Sequence, residues 1–138
     1  VGALVSHLRE RGVKLALISS GLSILADRVM QVARFDYVFA NELEVADGMM
    51  TGGVKVNVSI DDPYMTKKAI VTRIAKTNGL SRSEIAAVGD NWGDHGMIEE
   101  AATKFFVDRL QGETDKAKSV FEDIVIVSNM EDIRRYYS

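Results

Sequence analysis

Ile85-Ala86-Ala87-Val88-Gly89-Asp90-Asn91-Trp92-Gly93-Asp94 is an apolar run that breaks at a glycine, passes through two carboxylates and enters a helical pattern over residues 94–102. A short continuous apolar run bounded by turn residues is the pattern of a strand buried on both faces, as in a parallel sheet. The glycines permit a tight backbone path, and the carboxylates, four residues apart, leave the strand together. Oxygen-only coordination of Mg²⁺ needs one or two carboxylates, with water and substrate phosphate completing the shell. The competing reading makes Asp94 a helix cap and Asp90 a turn residue; capping explains Asp94 but not Asp90. The loop is therefore read as a divalent-cation site built on Asp90 and Asp94. Trp92 and His95 are read as packing or surface residues, not ligands.

The same strand–loop–helix grammar extends in both directions. Residues 13–18, 35–40, 104–107 and 124–127 read as strands, and residues 66–78, 114–121 and 130–137 as helices. Leu4, Val5 and Leu8 mark a first helix that stops near Gly12, and Ile24, Leu25, Val29, Met30 and Val32 recur at helical spacing after Ser19-Ser20-Gly21. On the helix over 66–78, Ala69, Ile70, Ile74 and Ala75 form the expected inner face. Asp47-Gly48, between apolar stretches, is the turn chemistry of a two-residue hairpin. Strands alternating with helices predict βαβ units. The fold class is α/β: a doubly wound, mostly parallel Rossmann-like sheet with a β-hairpin insertion. The length of 138 residues predicts one domain, 1–138.

Composition narrows the chemistry. With no cysteine and only two histidines, His7 and His95, thiolate and histidine-rich metal sites are excluded, leaving hard cations on oxygen. The net charge of −3 comes with interspersed signs and no basic stripe, which argues against nucleic acid as a partner. No apolar run approaches ~18 residues, so no membrane span is expected and a cytoplasmic location is the default. Val1 is not a methionine, and the first residues already read as helix without a cap, which points to something upstream having been removed and is equally compatible with ragged N-terminal order.

In parallel sheets, ligands gather beyond the carboxyl ends of the strands. Two further places qualify. Ser19-Ser20-Gly21 offers a hydroxyl and backbone amides as an oxyanion cradle, with plain capping by Ser20 or Ser23 as the alternative. Lys67, beside Lys68, falls in the first turn of a helix opened by Thr66, where a cation opposes the helix dipole. Its ammonium would meet phosphate oxygens; two solvated lysines are the alternative. A hydroxyl, an ammonium and a carboxylate pair together are parts for transferring a phosphoryl group.

The order Ser19, Lys67, Asp90, Asp94 resembles motifs two, three and four of the haloacid dehalogenase superfamily, in its phosphoserine phosphatase-like branch. The hairpin region, Phe35-Asp36-Tyr37-Val38-Phe39-Ala40-Asn41 followed by Asp47-Gly48-Met49-Met50-Thr51-Gly52, is similar too, as is Ala87-Val88-Gly89-Asp90 through Asp94. The resemblance runs from the first helix to the last. It implies a Mg²⁺-dependent phosphomonoester hydrolase acting on a small phosphorylated metabolite. It makes Ser19 the phosphate-binding hydroxyl, with Ser20 and Gly21 beside it, and Lys67 the stabiliser of nucleophile and phosphate charge. It makes Asp90 a direct Mg²⁺ ligand and Asp94 its neighbour, ordering metal-bound water and Lys67. The branch has asparagine where this chain has Gly93, so that phosphate contact is lost or supplied by Asn91.

The family's nucleophile lies in an Asp-x-Asp-x-Thr/Val segment on a central strand, and this sequence contains no such segment. The chain is therefore expected to be the C-terminal portion of such a hydrolase, without first strand and cap, and inactive in isolation. A catalytically silent phosphate-binding or interaction module, a homo-oligomer, and a half-protein completed by a separate N-terminal chain are further expectations. A phosphoacceptor receiver domain fits worse, because its lysine should end a late strand.

Overall fold

Strand and helix alternate along the chain, except at one β-hairpin, in the computed structural model, which describes residues 1–138. The chain forms two compact units, Val1–Ile60 with Tyr137–Ser138, and Asp61–Tyr136. The α/β class, the parallel pairing and the hairpin are as read from the sequence.

In the first unit, α1 (Gly2–Arg9) buries Leu4, Val5 and Leu8. Strand β1 (Ala16–Leu22) leads to α2 (Ser23–Val32) and then β2 (Tyr37–Ala46), which pairs parallel with β1 through Ala16–Tyr37, Leu17–Val38 and Ile18–Phe39. Strand β3 (Met49–Lys55) returns antiparallel to β2. Between them Asp47 and Gly48 both take positive φ, 52° and 76°, as a two-residue hairpin whose twist matches its strands requires. Two polar side chains fix this unit. Asp36 accepts from the Leu15 amide at 2.7 Å and from Arg9, and the Leu15 N–H, then Arg9, hold its carboxyl below the usual carboxylate range. Fully buried Asn41 uses all four of its hydrogen-bonding positions. Its Oδ1 accepts from Asn57 and Val58 amides at 2.8 and 2.9 Å, and its Nδ2 donates to the Ser20 and Val58 carbonyls, both at 2.9 Å.

The second unit runs α3 (Pro63–Asn78), β4 (Ala86–Gly89), α4 (His95–Glu99), β5 (Thr103–Val107), α5 (Gln111–Val120) and β6 (Val125–Val127), closing with a 3-10 segment at Met130–Tyr136. Its three strands are parallel in the order β4-β5-β6. Ala87, Ile98, Ala101, Phe106 and Ala117 form its buried core, against which Ile85, Phe121 and Ile126 pack. The strands thus form two three-stranded sheets, with β1 and β4 each at an edge of its own sheet. No helix is long and apolar enough to cross a membrane.

Several sequence expectations are corrected. Helix α3 begins at Pro63, not Thr66, because Asp62 caps it by accepting from the Met65 amide at 3.1 Å and proline suits the first helical position. Lys67 consequently sits in the second turn, and the argument from the helix dipole does not apply to it. Ala69 is exposed and Lys67 is buried with Ile70. Ser19-Ser20-Gly21 lies inside β1, where the pairing register shifts between Ile18 and Leu22, instead of in a loop. Neither Ser20 nor Ser23 caps α2, whose N-cap is Leu22. The helix expected over 94–102 is a 3-10 turn at Trp92–Asp94 followed by the five residues of α4.

Gly96 is where α4 meets α3: a Cβ there would lie 2.0 Å from the Tyr64 carbonyl oxygen. Backbone cannot yield as a side chain can, so Gly96→Ala should destabilise the protein by about 1–3 kcal/mol. Gly112, in α5, has nothing within 4 Å of its added Cβ, and Gly112→Ala should be neutral or stabilising by up to about 1 kcal/mol. Urea unfolding of both variants tests the contrast; equal effects would contradict the close approach.

Candidate active site

Strand β4 ends at Gly89 because the next residues fold back beneath it. A Cβ on Gly89 would come within 2.4 Å of the Asp94 Cβ, so only glycine allows Asp94 its position. Asp94 is 5% exposed and Lys67 6%, and Lys67 Nζ lies 2.6 Å from Asp94 Oδ1. Asp94 Oδ2 accepts from the amides of Asp90 at 2.9 Å and Asn91 at 3.3 Å. A charge taken from water costs several kcal/mol unless paired and hydrogen-bonded. Here the ammonium answers one oxygen and two backbone donors answer the other, so the carboxylate dictates the path of the loop.

Asn91 completes the turn. Its Oδ1 accepts from the Gly93 amide at 2.9 Å and its Nδ2 donates to Asp90 Oδ1 at 3.0 Å. The other Asp90 oxygen, Oδ2, lies 3.3 Å from the Arg109 guanidinium, which follows β5. Trp92 anchors the outer side: its amide donates to Glu113 at 2.7 Å, its ring stacks on Tyr64 at 5.6 Å, and the Lys116 ammonium sits 5.5 Å from the ring centre. Tyr64 donates its hydroxyl to Glu99, and Lys68 pairs with Glu99 at 3.2 Å and Glu100 at 3.6 Å. These bonds lower the Glu99 pKa, with the Tyr64 hydroxyl the larger cause and Lys68 next, and raise that of Tyr64. Lys68 is thus not the free solvated lysine of the sequence alternative. His95 packs edge-on against Phe106 and Phe121, its Nε2 has no hydrogen-bond partner, and burial lowers its pKa.

The donor set suits a hard cation. Asp90 is half-buried, and Asp94 Oδ1 keeps an acceptor position beyond its bond to Lys67. No cluster of three His, Cys, Asp or Glu side chains forms, so the chain offers at most two carboxylates. That is the number Mg²⁺ uses when water and phosphate complete its shell.

Of the residues singled out in the sequence, Lys67, Asp90, Asn91 and Asp94 assemble in the second unit. Ser19, Ser20 and Gly21 belong to the first unit. There Ser19 Oγ accepts from the Gly21 amide at 3.0 Å and the Ser20 carbonyl accepts from Asn41. Sequence reasoning missed Arg109. The rule that ligands gather at strand carboxyl ends covered its position, just after β5, but no motif marked it.

The haloacid dehalogenase-like hydrolase family profile matches residues 1–99. A phosphoserine phosphatase of Archaeoglobus fulgidus is 38% identical over 121 residues, 88% of this chain and 32% of that protein. A phosphoserine phosphatase of Streptococcus thermophilus is 41% identical over 98 residues, 71% of this chain and 44% of that protein. The chain thus spans less than half the length of these curated relatives. A solved structure described as a phospho-aspartyl intermediate analogue of phosphoserine phosphatase superposes with a TM-score of 0.79 at 29% identity, covering 98% of this chain and 61% of that one.

Lys67→Met leaves the Asp94 carboxylate buried without its cation and should cost about 3–5 kcal/mol of stability. Adding Asp94→Leu should recover part of that loss, because the uncompensated charge is gone while the Asp90 and Asn91 amides still lack their acceptor. Urea unfolding followed by the fluorescence of Trp92, the chain's one tryptophan, measures the cycle. A cost below about 1 kcal/mol for Lys67→Met, the range of an exposed pair, would rule out the organising role.

Proposed function

Because the chain belongs to the haloacid dehalogenase-like hydrolase family, we propose that it forms part of a Mg²⁺-dependent phosphomonoester hydrolase of the phosphoserine phosphatase type. The observation that carries this reading is the buried Lys67–Asp94 pair holding the Asp90 loop at the carboxyl end of β4. We assign residues 1–138 to one haloacid dehalogenase-like core domain acting on a small phosphorylated metabolite.

The roles follow from the contacts. Asp90 is the carboxylate that would hold Mg²⁺, and Asp94 Oδ1 would accept from metal-bound water. Bound there, Mg²⁺ offsets negative charge on the phosphoryl oxygens as a Lewis acid. Lys67 cannot rotate away without stranding Asp94, so its ammonium is a preorganised positive charge for nucleophile and phosphoryl oxygens. Ser19 Oγ accepts from Gly21, which leaves its hydrogen to donate to a phosphate oxygen. The nucleophile would be an aspartate that attacks phosphorus and breaks the ester P–O bond, the alcohol leaving with a proton; water would then cleave the phospho-aspartyl enzyme to inorganic phosphate and free aspartate. The 138-residue sequence has no Asp-x-Asp segment to provide it. Strand β4, at the edge of its own sheet, leaves backbone donors and acceptors for a further strand. That supports a nucleophile-bearing strand, on the same or a separate chain.

The 138-residue polypeptide alone should not hydrolyse phosphoserine or an aryl phosphate at any Mg²⁺ concentration. Together with an Asp-x-Asp segment it should, and Asp90→Asn or Lys67→Met should then lower kcat/KM by roughly 100-fold or more. Steady-state phosphate release reads both; turnover by the isolated chain, or full activity in Asp90→Asn, would refute the assignment.

A further inference from the structure

We propose that Arg109 is a further, exposed anion-binding residue of this site and that it couples phosphate binding to cation binding at Asp90. The proposal rests on the reading of Asp90 as a metal ligand. Strand β5 lies beside β4 with Gly89 opposite Phe106, so the residues following both strands emerge together. Arg109 and Asp90 meet there, Nη1 to Oδ2 at 3.3 Å, with the arginine side chain 72% exposed. Its base is fixed, because the Asp108 amide donates to the Val127 carbonyl at 2.9 Å and Asp108 Oδ1 accepts from buried Thr114 at 2.6 Å. A mobile cation thus stands on an anchored stem at the mouth of the loop.

The neighbouring donors are otherwise engaged. Gly93 has no side chain, and Asn91 spends its oxygen on Gly93 and its amide on Asp90. Lys67 is held on Asp94 and supplies a fixed charge, whereas Lys68 is paired with Glu99 and Glu100 and Lys116 lies over Trp92. Arg109 is held only by a solvent-exposed pair, a type that contributes little and yields easily. Its planar fork of donors matches phosphate geometry.

The charges give this arrangement a thermodynamic signature. A divalent cation on Asp90 competes with the guanidinium for this carboxylate and repels it. A phosphate dianion between the two cations relieves that repulsion and accepts hydrogen bonds from the fork. Arg109 therefore opposes metal binding when no anion is present and favours it when one is. By linkage, phosphate tightens the metal by the same factor that the metal tightens phosphate.

Calorimetry on the protein carrying this chain tests the coupling, with Mg²⁺ titrated with and without inorganic phosphate, and phosphate titrated at saturating Mg²⁺. Arg109→Gln should bind Mg²⁺ alone about two- to fivefold more tightly. It should bind phosphate roughly tenfold or more weakly in the presence of Mg²⁺. Arg109→Lys, keeping the charge but not the fork, should restore the competition with Mg²⁺ and only part of the phosphate affinity. A thermal melt unchanged from the parent shows that the exposed substitution leaves the fold intact. Phosphate affinity in Arg109→Gln within twofold of the parent, or no tightening of Mg²⁺ by phosphate in the parent, overturns the proposal. Mg²⁺ affinity unchanged in Asp90→Asn would instead overturn the reading of Asp90 itself, a separate outcome of the same measurement.

Discussion

A buried carboxylate with its partners fully specified organises this molecule's chemistry. Asp94 is removed from water, and that is tolerable only because Lys67 reaches it from α3 while the Asp90 and Asn91 amides reach its other oxygen. Each partner is thereby constrained in turn. Lys67 cannot seek solvent, the backbone from Gly89 to Asn91 cannot open, and Gly89 cannot carry a side chain. Asp90 is left at the end of β4, where its carboxylate meets only the Asn91 side-chain amide and the Arg109 guanidinium. The energetic cost of burying one charge pair is converted into the fixed position of a second carboxylate.

The first unit uses the same device with neutral groups. Asn41 satisfies both of its donors and both of its acceptor positions on the backbone of β1 and of residues 57–58, and Asp36 ties the approach to β1 through the Leu15 amide. Where the β1–β2 ladder shifts register near Ser19-Ser20-Gly21, the Asn41 side chain donates to the Ser20 carbonyl. Irregular backbone inside a sheet is costly unless its polar groups are paired. Buried polar side chains therefore appear where the phosphate-binding residues of the proposed mechanism depart from regular strand.

The contrast between Lys67 and Arg109 follows from burial. A buried, paired ammonium is a constant of the site and suits charge stabilisation that must not reorganise during reaction. An exposed guanidinium on a fixed stem is a variable of the site and suits recognition that must be reversible. The pairing of Arg109 with the same carboxylate that would hold a cation gives one residue opposite effects on metal binding, according to whether an anion is present.

The sequence by itself determined the strand–loop–helix at residues 85–94, the alternation that makes the fold α/β, and the Asp47-Gly48 hairpin. These are legible because hydrophobic periodicity and turn chemistry act between near neighbours. It also singled out Lys67, Asp90, Asn91 and Asp94, though for Lys67 the reason offered was wrong: the helix starts earlier, and the lysine's significance is burial, not a clash with the helix dipole. The family resemblance implied that Asp94 orders Lys67; only the tertiary structure decided that this pair, 27 residues apart, is buried, that Asn41 is a four-way pin, that Ser19 lies within a strand, and that Arg109 faces Asp90. The physical reason is common to all four. Each depends on partners brought together by sheet register and helix packing, and no local pattern records which distant donor will meet which distant acceptor.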